Sequence, residues 1–156
     1  MTASDIILYA HPTFGVLGIM ASLWVFVEAL NASEANGRRI VIGSYIVAGC
    51  LLLTGMFAGW WYTELYGHFE QPVILKGPWP WAHSFFMETK EHLFFIPLIL
   101  ALYLPFVARI NLFKNTRARA MVMVVTALII LNGLAIEGAG AIINGGVKVA
   151  FIHTGA

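Results

Sequence analysis

The segment that decides the fold is Trp79-Pro80-Trp81-Ala82-His83-Ser84-Phe85-Phe86-Met87-Glu88-Thr89-Lys90-Glu91-His92-Leu93-Phe94-Phe95. It begins a long apolar run, which predicts a helix that crosses a membrane, yet it contains Glu88, Lys90, Glu91 and His92. Lipid offers no hydrogen-bonding partner to such groups, so their partners must lie inside the protein or on a bound ligand.

The composition is that of an integral membrane protein. Of 156 residues, 60% are hydrophobic and 11% are charged, whereas a soluble domain has roughly 25% charged residues. The length suits a single domain over residues 1–156. The net charge of +1 and the lack of a basic run give no indication of a nucleic-acid partner. No nucleophile elbow, phosphate-binding loop or zinc motif is present in the sequence.

Cysteine usage and the N-terminal residues restrict the interpretation further. Cys50 is the single cysteine, so no intrachain disulfide and no Cys-x-x-Cys-His attachment of haem is expected. The first residues lack the positively charged region of a signal peptide, so the first apolar run is predicted to be a retained span.

Four apolar segments are predicted to be membrane-spanning helices, at about 6–30, 40–66, 84–107 and 120–143. Each is long enough to cross a hydrocarbon layer of roughly 30 Å at about 1.5 Å per residue. A lone β-strand cannot satisfy its backbone in lipid. We therefore predict an all-α protein, an integral membrane four-helix bundle.

The charges of the connections predict the orientation. The positive-inside rule places basic connections in the cytoplasm. The second connection carries a single lysine, Lys76. The first and third connections are basic, and their basic residues are Arg38 and Arg39 in the first and Arg109, Lys114, Arg117 and Arg119 in the third. Both termini are therefore predicted on the outer (periplasmic) side of a prokaryotic inner membrane.

Two histidines are predicted to lie at one depth within the apolar layer. By the rise per residue, His11 and His92 lie roughly 25–30 Å above the cytoplasmic ends of their helices. His68 and His83 fall in the second connection and are expected at the surface. Two imidazoles at one level can bind the two faces of a haem iron. We therefore predict that His11 and His92 bind haem b, with Glu88 or alternatively Thr89 as hydrogen-bond partner of His92.

Glu137 is the second polar anomaly, because it lies within the fourth apolar segment at the depth of the two histidines. An ionisable residue inside a span indicates a functional site by default. Glu137 and Glu88 are predicted to handle protons. The alternative is that Glu137 is bonded to Lys90 and only stabilises packing.

Together, His11 and His92 beside the glycine-rich second and fourth segments resemble the four-helix b-type membrane cytochromes, which pass electrons between quinones and periplasmic partners. The second segment contributes Gly55-x-x-x-Gly59. The resemblance implies one haem b near the outer face, a quinone as a further ligand, and a periplasmic cytochrome or other membrane subunits as partners. The chain would then be an electron-transfer subunit of a respiratory or photosynthetic oxidoreductase complex.

Other functions remain open from the sequence alone. The chain is alternatively a cofactor-free accessory subunit of a membrane complex, or a small quinone-reacting enzyme or transporter centred on Glu137. A copper site using His11, His92 and Met87 is compatible with the ligand preferences of copper. A di-iron site is not expected, because Glu88-x-x-Glu91-His92 differs by one residue from the Glu-x-x-His spacing of such bundles.

Overall fold

The computed structural model describes the backbone of residues 3–154 and the side chains of residues 6–153. The described chain is helical throughout, apart from short connections, and contains no β-strand. The helices are α1 (Ala3–Leu30), α2 (Gly37–Trp61), α3 (Gln71–Lys76), α4 (Glu88–Ala108) and α5 (Thr116–Thr154). A π-helical segment, Tyr62–Glu70, joins α2 to α3, and a second, Ala82–Met87, leads into α4.

Four stretches are long and apolar enough to cross a membrane: Ile6–Leu30, Gly37–Lys76, Ala82–Ala108 and Thr116–His153. The predicted all-α fold with four membrane-spanning helices is confirmed, and the apolar helices are consistent with contact with a lipid bilayer. The periplasmic position of the termini and the identity of the membrane stay predictions.

The second and fourth stretches extend well beyond the predicted ends at residues 66 and 143. The stretch Gly37–Lys76 has 40 residues, which is roughly 60 Å of helix and twice the hydrocarbon thickness. The extensions bury an apolar cluster of their own, made of Tyr66, Ile74, Ala82, Met87, Ile143 and Val147. Hydropathy alone missed it, because polar residues such as Glu64 and Glu70 alternate with these side chains.

The four long helices form a closed ring in which α1 contacts α2, α2 contacts α4, α4 contacts α5, and α5 contacts α1. Helices α1 and α4 therefore face each other across the bundle. The main core contains fully buried side chains from all four helices, including Val25, Ile40, Leu104 and Val122. The outer faces of the same helices are also apolar, as lipid contact requires.

Glycine permits the close approach of α1 to its neighbours. A Cβ atom added at Gly43 would lie 2.6 Å from Cγ2 of Val25, and one at Gly133 would lie 2.8 Å from Cγ1 of Ile19. Both distances are shorter than a carbon–carbon contact allows. Small residues at such crossings let membrane helices gain van der Waals contact, which partly replaces the missing hydrophobic driving force.

We expect Gly43→Ala to lower the free energy of unfolding by about 1–3 kcal/mol, the usual cost of overpacking a core. The new methyl group would collide with Val25, which is 0% exposed and cannot move outward. Denaturant unfolding in detergent micelles, followed by circular dichroism, measures the change.

The matched control is Gly49→Ala on the same helix, where an added Cβ meets no atom within 4 Å. Equal stability of the two variants would contradict the close contact of α1 with α2.

Candidate functional site

One polar side chain from each of the four long helices converges inside the bundle. His11 of α1, Thr54 of α2 and Glu137 of α5 line a small cavity of about 30 Å³. His11, Glu137 and Lys90 of α4 line a larger cleft of about 530 Å³. We call these four residues the polar centre. It brings together His11 and Glu137, for which the sequence predicted one depth in the membrane; that depth stays a prediction.

His11 is fixed to α2 by two hydrogen bonds with Thr54. The Thr54 hydroxyl donates its proton to the His11 carbonyl oxygen at 2.6 Å. Nδ1 of His11 lies 3.1 Å from that hydroxyl oxygen and 3.3 Å from the Thr54 carbonyl oxygen. Since the hydroxyl proton is already used and a carbonyl can only accept, Nδ1 is the donor. The neutral ring therefore leaves Nε2 as a hydrogen-bond acceptor for a ligand.

The absence of a side chain at Gly15 leaves room for the Glu137 carboxylate beside α1. A Cβ atom at Gly15 would lie 2.6 Å from Oε1 of Glu137 and 3.5 Å from Oγ1 of Thr54. Both oxygen atoms therefore face the same part of α1, one turn below His11. A side chain at position 15 would displace the carboxylate from the polar centre.

Lys90 brings a positive charge into the apolar bundle. It lines one cleft together with Glu137 and another together with Glu91. A charged group in hydrocarbon is stable only when opposite charges or ligands replace water. Lys90 is thus the residue around which the two carboxylates are gathered.

A cleft of about 520 Å³ lies on the α2–α4 side of the polar centre. Its wall includes Gly55, Gly59 and Phe94, with His11 and Lys90 among the few polar groups. Met56 and Phe95, which also line it, are 69% and 61% exposed. This cleft, which we call the lipid-facing cleft, therefore opens on the outer surface of the bundle.

The 530 Å³ cleft lies on the α1–α5 side and is richer in polar groups. Besides Glu137, it is lined by Glu70 and Asn144. His11 and Lys90 line both large clefts, so the polar centre separates an apolar space from a more polar one. That arrangement is suited to a lipid-soluble ligand that exchanges protons.

Tyr62 and Glu91 form a second polar pair in the lipid-facing cleft. Oε1 of Glu91 is buried without a hydrogen-bond partner in the described structure. A buried oxygen of this kind normally has a partner, so a ligand or water donor is expected there.

His83 is buried, contrary to the expectation of a surface position. The side chain is 4% exposed, with Nδ1 3.0 Å from the Tyr66 hydroxyl and Nε2 3.0 Å from Nε2 of Gln71. Glu88 lies beside it, with Oε1 3.8 Å from Nε2 of His83. The expectation was wrong because the second connection is helical and packs against α5 at the end of the bundle where α2 ends. His68 is exposed.

The structure places His92 away from the polar centre. His92 is exposed, and its Nδ1 lies 2.7 Å from the Glu88 carbonyl oxygen, not near the Glu88 carboxylate that the sequence suggested. It shares the outward face of α4 with Phe95 and Ile99, which are 61% and 64% exposed. The described cavities that His11 lines do not include His92.

The structure therefore brings His11 and Glu137 together but not His92 or Glu88. Among the described residues, no group of three or more His, Cys, Asp or Glu side chains is arranged to hold a metal ion. Met87 lines the two large clefts with His11, again without His92. Haem b and copper stay predictions.

Lys90 is the residue that sequence reasoning missed as a site residue. A detectable signal was the spacing of Lys90, Phe94, Pro97, Ala101 and Leu104, which alternates between four and three residues. That spacing follows one face of a helix, and its last three members are buried. His92 lies two positions from Lys90 and so points to another side.

No protein family model, curated protein or solved structure matches this chain. The resemblance to b-type cytochromes therefore rests on the sequence features alone, and the functional argument rests on the geometry of the polar centre.

We expect Thr54→Val to weaken the preference of His11 for its Nδ1–H tautomer and to shift its ring nitrogen signals, because the hydroxyl that accepts from Nδ1 and donates to the His11 carbonyl is lost and only the Thr54 carbonyl oxygen still accepts from Nδ1. Nitrogen-15 NMR of labelled histidine in micelles reports the tautomer directly. Loss of the buried bonds should also reduce stability by about 1–3 kcal/mol.

Thr126→Val is the control, since the Thr126 hydroxyl is equally buried but bonds only to the carbonyls of Val122 and Met123 in its own helix. An unchanged His11 spectrum in Thr54→Val would contradict the assigned hydrogen bonds.

Proposed function

We propose that this chain is a membrane subunit of an oxidoreductase that binds the ring of a quinone or quinol in the lipid-facing cleft. The observation that carries this proposal is the position of His11 and Lys90 in a mostly apolar cleft that opens on the outer surface of the bundle. We infer that the partner protein of this chain is another membrane subunit or a periplasmic cytochrome, which accepts or supplies the electrons.

The size and lining of the cleft suit a flat ring with an apolar tail. Ligand sites for small molecules usually measure about 300–1,000 Å³, and this cleft measures about 520 Å³. A Cβ atom at Gly59 would meet nothing within 4 Å, so the backbone there borders open space. Phe94 offers an aromatic wall, and the exposed Met56 and Phe95 leave an exit for a tail into lipid.

The polar groups of the cleft can bind both the oxidised form, the quinone, and the reduced form, the quinol. A quinone carbonyl accepts hydrogen bonds, and the Lys90 ammonium only donates. A quinol hydroxyl donates, and Nε2 of His11 only accepts while Nδ1 is bonded to Thr54. When bound, a quinone supplies two-electron, two-proton chemistry, and the chain holds and orients its ring.

Glu137 is the proposed proton acceptor of the site. Its carboxylate lines the more polar cleft together with Glu70 and Asn144, on the side of the polar centre away from the lipid-facing cleft. Attraction between Glu137 and Lys90 links the carboxylate to the group that would contact the ligand. Protons received by His11 would thus leave on the polar side.

We expect Gly59→Leu to abolish binding of decylubiquinone, because the new side chain fills the cleft without striking a described atom. Titration of the purified chain in nanodiscs measures this. Quenching of tryptophan fluorescence gives the signal, since Trp61 lines both clefts.

The matched control is Gly49→Leu, at a position that also has no atom within 4 Å of an added Cβ but does not line the cleft. A second variant, Lys90→Gln, should weaken binding about tenfold or more, as expected for loss of a charged hydrogen-bond donor. Equal affinities of Gly59→Leu and Gly49→Leu would disprove the proposed location.

Haem b is the second candidate ligand, and the unpaired Nε2 of His11 is the observation that favours it. His11 would hold the iron through Nε2, in the cleft that Gly59 and Phe94 also line. The predicted second ligand, His92, does not fit, because it faces outward from α4. A second ligand to the haem iron would have to come from another residue or molecule.

A pyridine haemochrome assay of the purified chain tests this candidate. If haem is bound through His11, His11→Ala should lose it. Haem retained at full stoichiometry in His11→Ala, or absent from the unaltered chain grown with excess haem, would eliminate it.

A further inference from the structure

The end of the bundle where α1 and α4 finish carries uncompensated positive charge. Its basic side chains are Arg38, Arg39, Arg109, Lys114, Arg117 and Arg119, and its acidic ones are Glu28 and Glu34. Glu28 pairs with Arg39 at 3.4 Å, and Glu34 pairs with Lys114 at 3.5 Å. Both carboxylates are therefore used within the protein. Within the described residues, the other four basic side chains have no acidic partner.

Two of those four side chains meet at one groove. A cavity of about 290 Å³ lies between the α1–α2 and α4–α5 connections, and Arg38 and Arg109 both line it. Ser33 and Asn111 add a hydroxyl and an amide to the lining. We call this cavity the basic groove. Neither Arg117 nor Arg119 lines it.

Arg109 is held at the groove from one side. Its guanidinium donates to the Tyr45 hydroxyl and lies over the Tyr45 ring, 5.6 Å from the centroid. A guanidinium has five N–H donors, so several remain for a ligand. The structure describes no side-chain partner for Arg38. The groove thus presents one positioned guanidinium and one free to adjust.

The groove continues onto an apolar surface. Ile110 and Phe113 line it and are 45% and 53% exposed. They lie just beyond the end of α4, where a membrane-spanning helix reaches the headgroup region. Guanidinium groups bind phosphate through paired hydrogen bonds, and basic pockets between membrane helices bind anionic headgroups.

We propose that the basic groove binds one anionic phospholipid, with its phosphate between Arg38 and Arg109 and its acyl chains along Ile110 and Phe113. The phosphate would then join the start of α2 to the end of α4, beside the Glu34–Lys114 pair that already links the two connections. The site lies at the end of the bundle opposite the polar centre, and it does not depend on the proposed quinone function.

The test is native mass spectrometry and thermal melting of the full chain, stripped of lipid and then given phosphatidylglycerol or phosphatidylcholine. We expect one retained phosphatidylglycerol and a higher melting temperature with that lipid only. The double variant Arg38→Gln/Arg109→Gln should lose both effects. The control Arg117→Gln/Arg119→Gln removes the same charge outside the groove and should keep them.

Two further variants separate binding from folding. Arg38→Gln breaks no described side-chain contact, so its fold should persist while retention of phosphatidylglycerol falls. Tyr45→Phe removes the hydroxyl partner of Arg109 and should keep the lipid. Full retention of phosphatidylglycerol in Arg38→Gln would overturn the proposal, because this guanidinium is one of the two that would bind the phosphate.

Equal loss of phosphatidylglycerol from the two double variants would also overturn the proposal, since it would indicate general surface charge. The last part of the experiment measures the melting temperature with inorganic phosphate in place of lipid. If phosphate alone raises the melting temperature as much as phosphatidylglycerol, the groove is a site for free anions and the lipid assignment is wrong.

Discussion

The structure depends on one constraint: polar groups enclosed by four apolar helices must satisfy each other. His11 and Thr54 do so directly, through bonds between two helices that involve both backbone and side chain. Lys90 cannot be solvated by lipid, so the helices are oriented such that Glu137 and Glu91 act on it. The polar centre therefore fixes the rotation of the helices about their axes as well as supplying chemistry.

Glycine serves two opposite purposes in the same region. At Gly55 an added Cβ would lie 2.8 Å from the Phe94 ring, so the absence of a side chain allows contact between α2 and α4. One turn later, at Gly59, nothing lies within 4 Å, and the same absence leaves room for a ligand. A single Gly-x-x-x-Gly pair thus provides both helix packing and a cleft.

The end of the bundle that carries the connection between α2 and α4 is a packed layer. Tyr66 and His83 are buried there and bonded to each other, and Ile74 and Val147 belong to the same apolar cluster. This layer positions Glu70 and Met87 at the clefts beside the polar centre. The π-helical geometry of Tyr62–Glu70 and Ala82–Met87 accompanies this change from lipid-facing helix to packed layer, and such segments are frequent at functional sites.

The sequence by itself determined the all-α class and the four helices that are long and apolar enough to cross a membrane, because hydropathy and helix length are local properties. Only the tertiary structure decided that Lys90 faces inward, that His92 faces outward and that His83 is buried. Both faces of a membrane helix are apolar, so the apolar pattern does not show which face meets lipid. Helix rotation is set by contacts between distant residues, such as Gly15 with Glu137, and these exist only in the folded bundle.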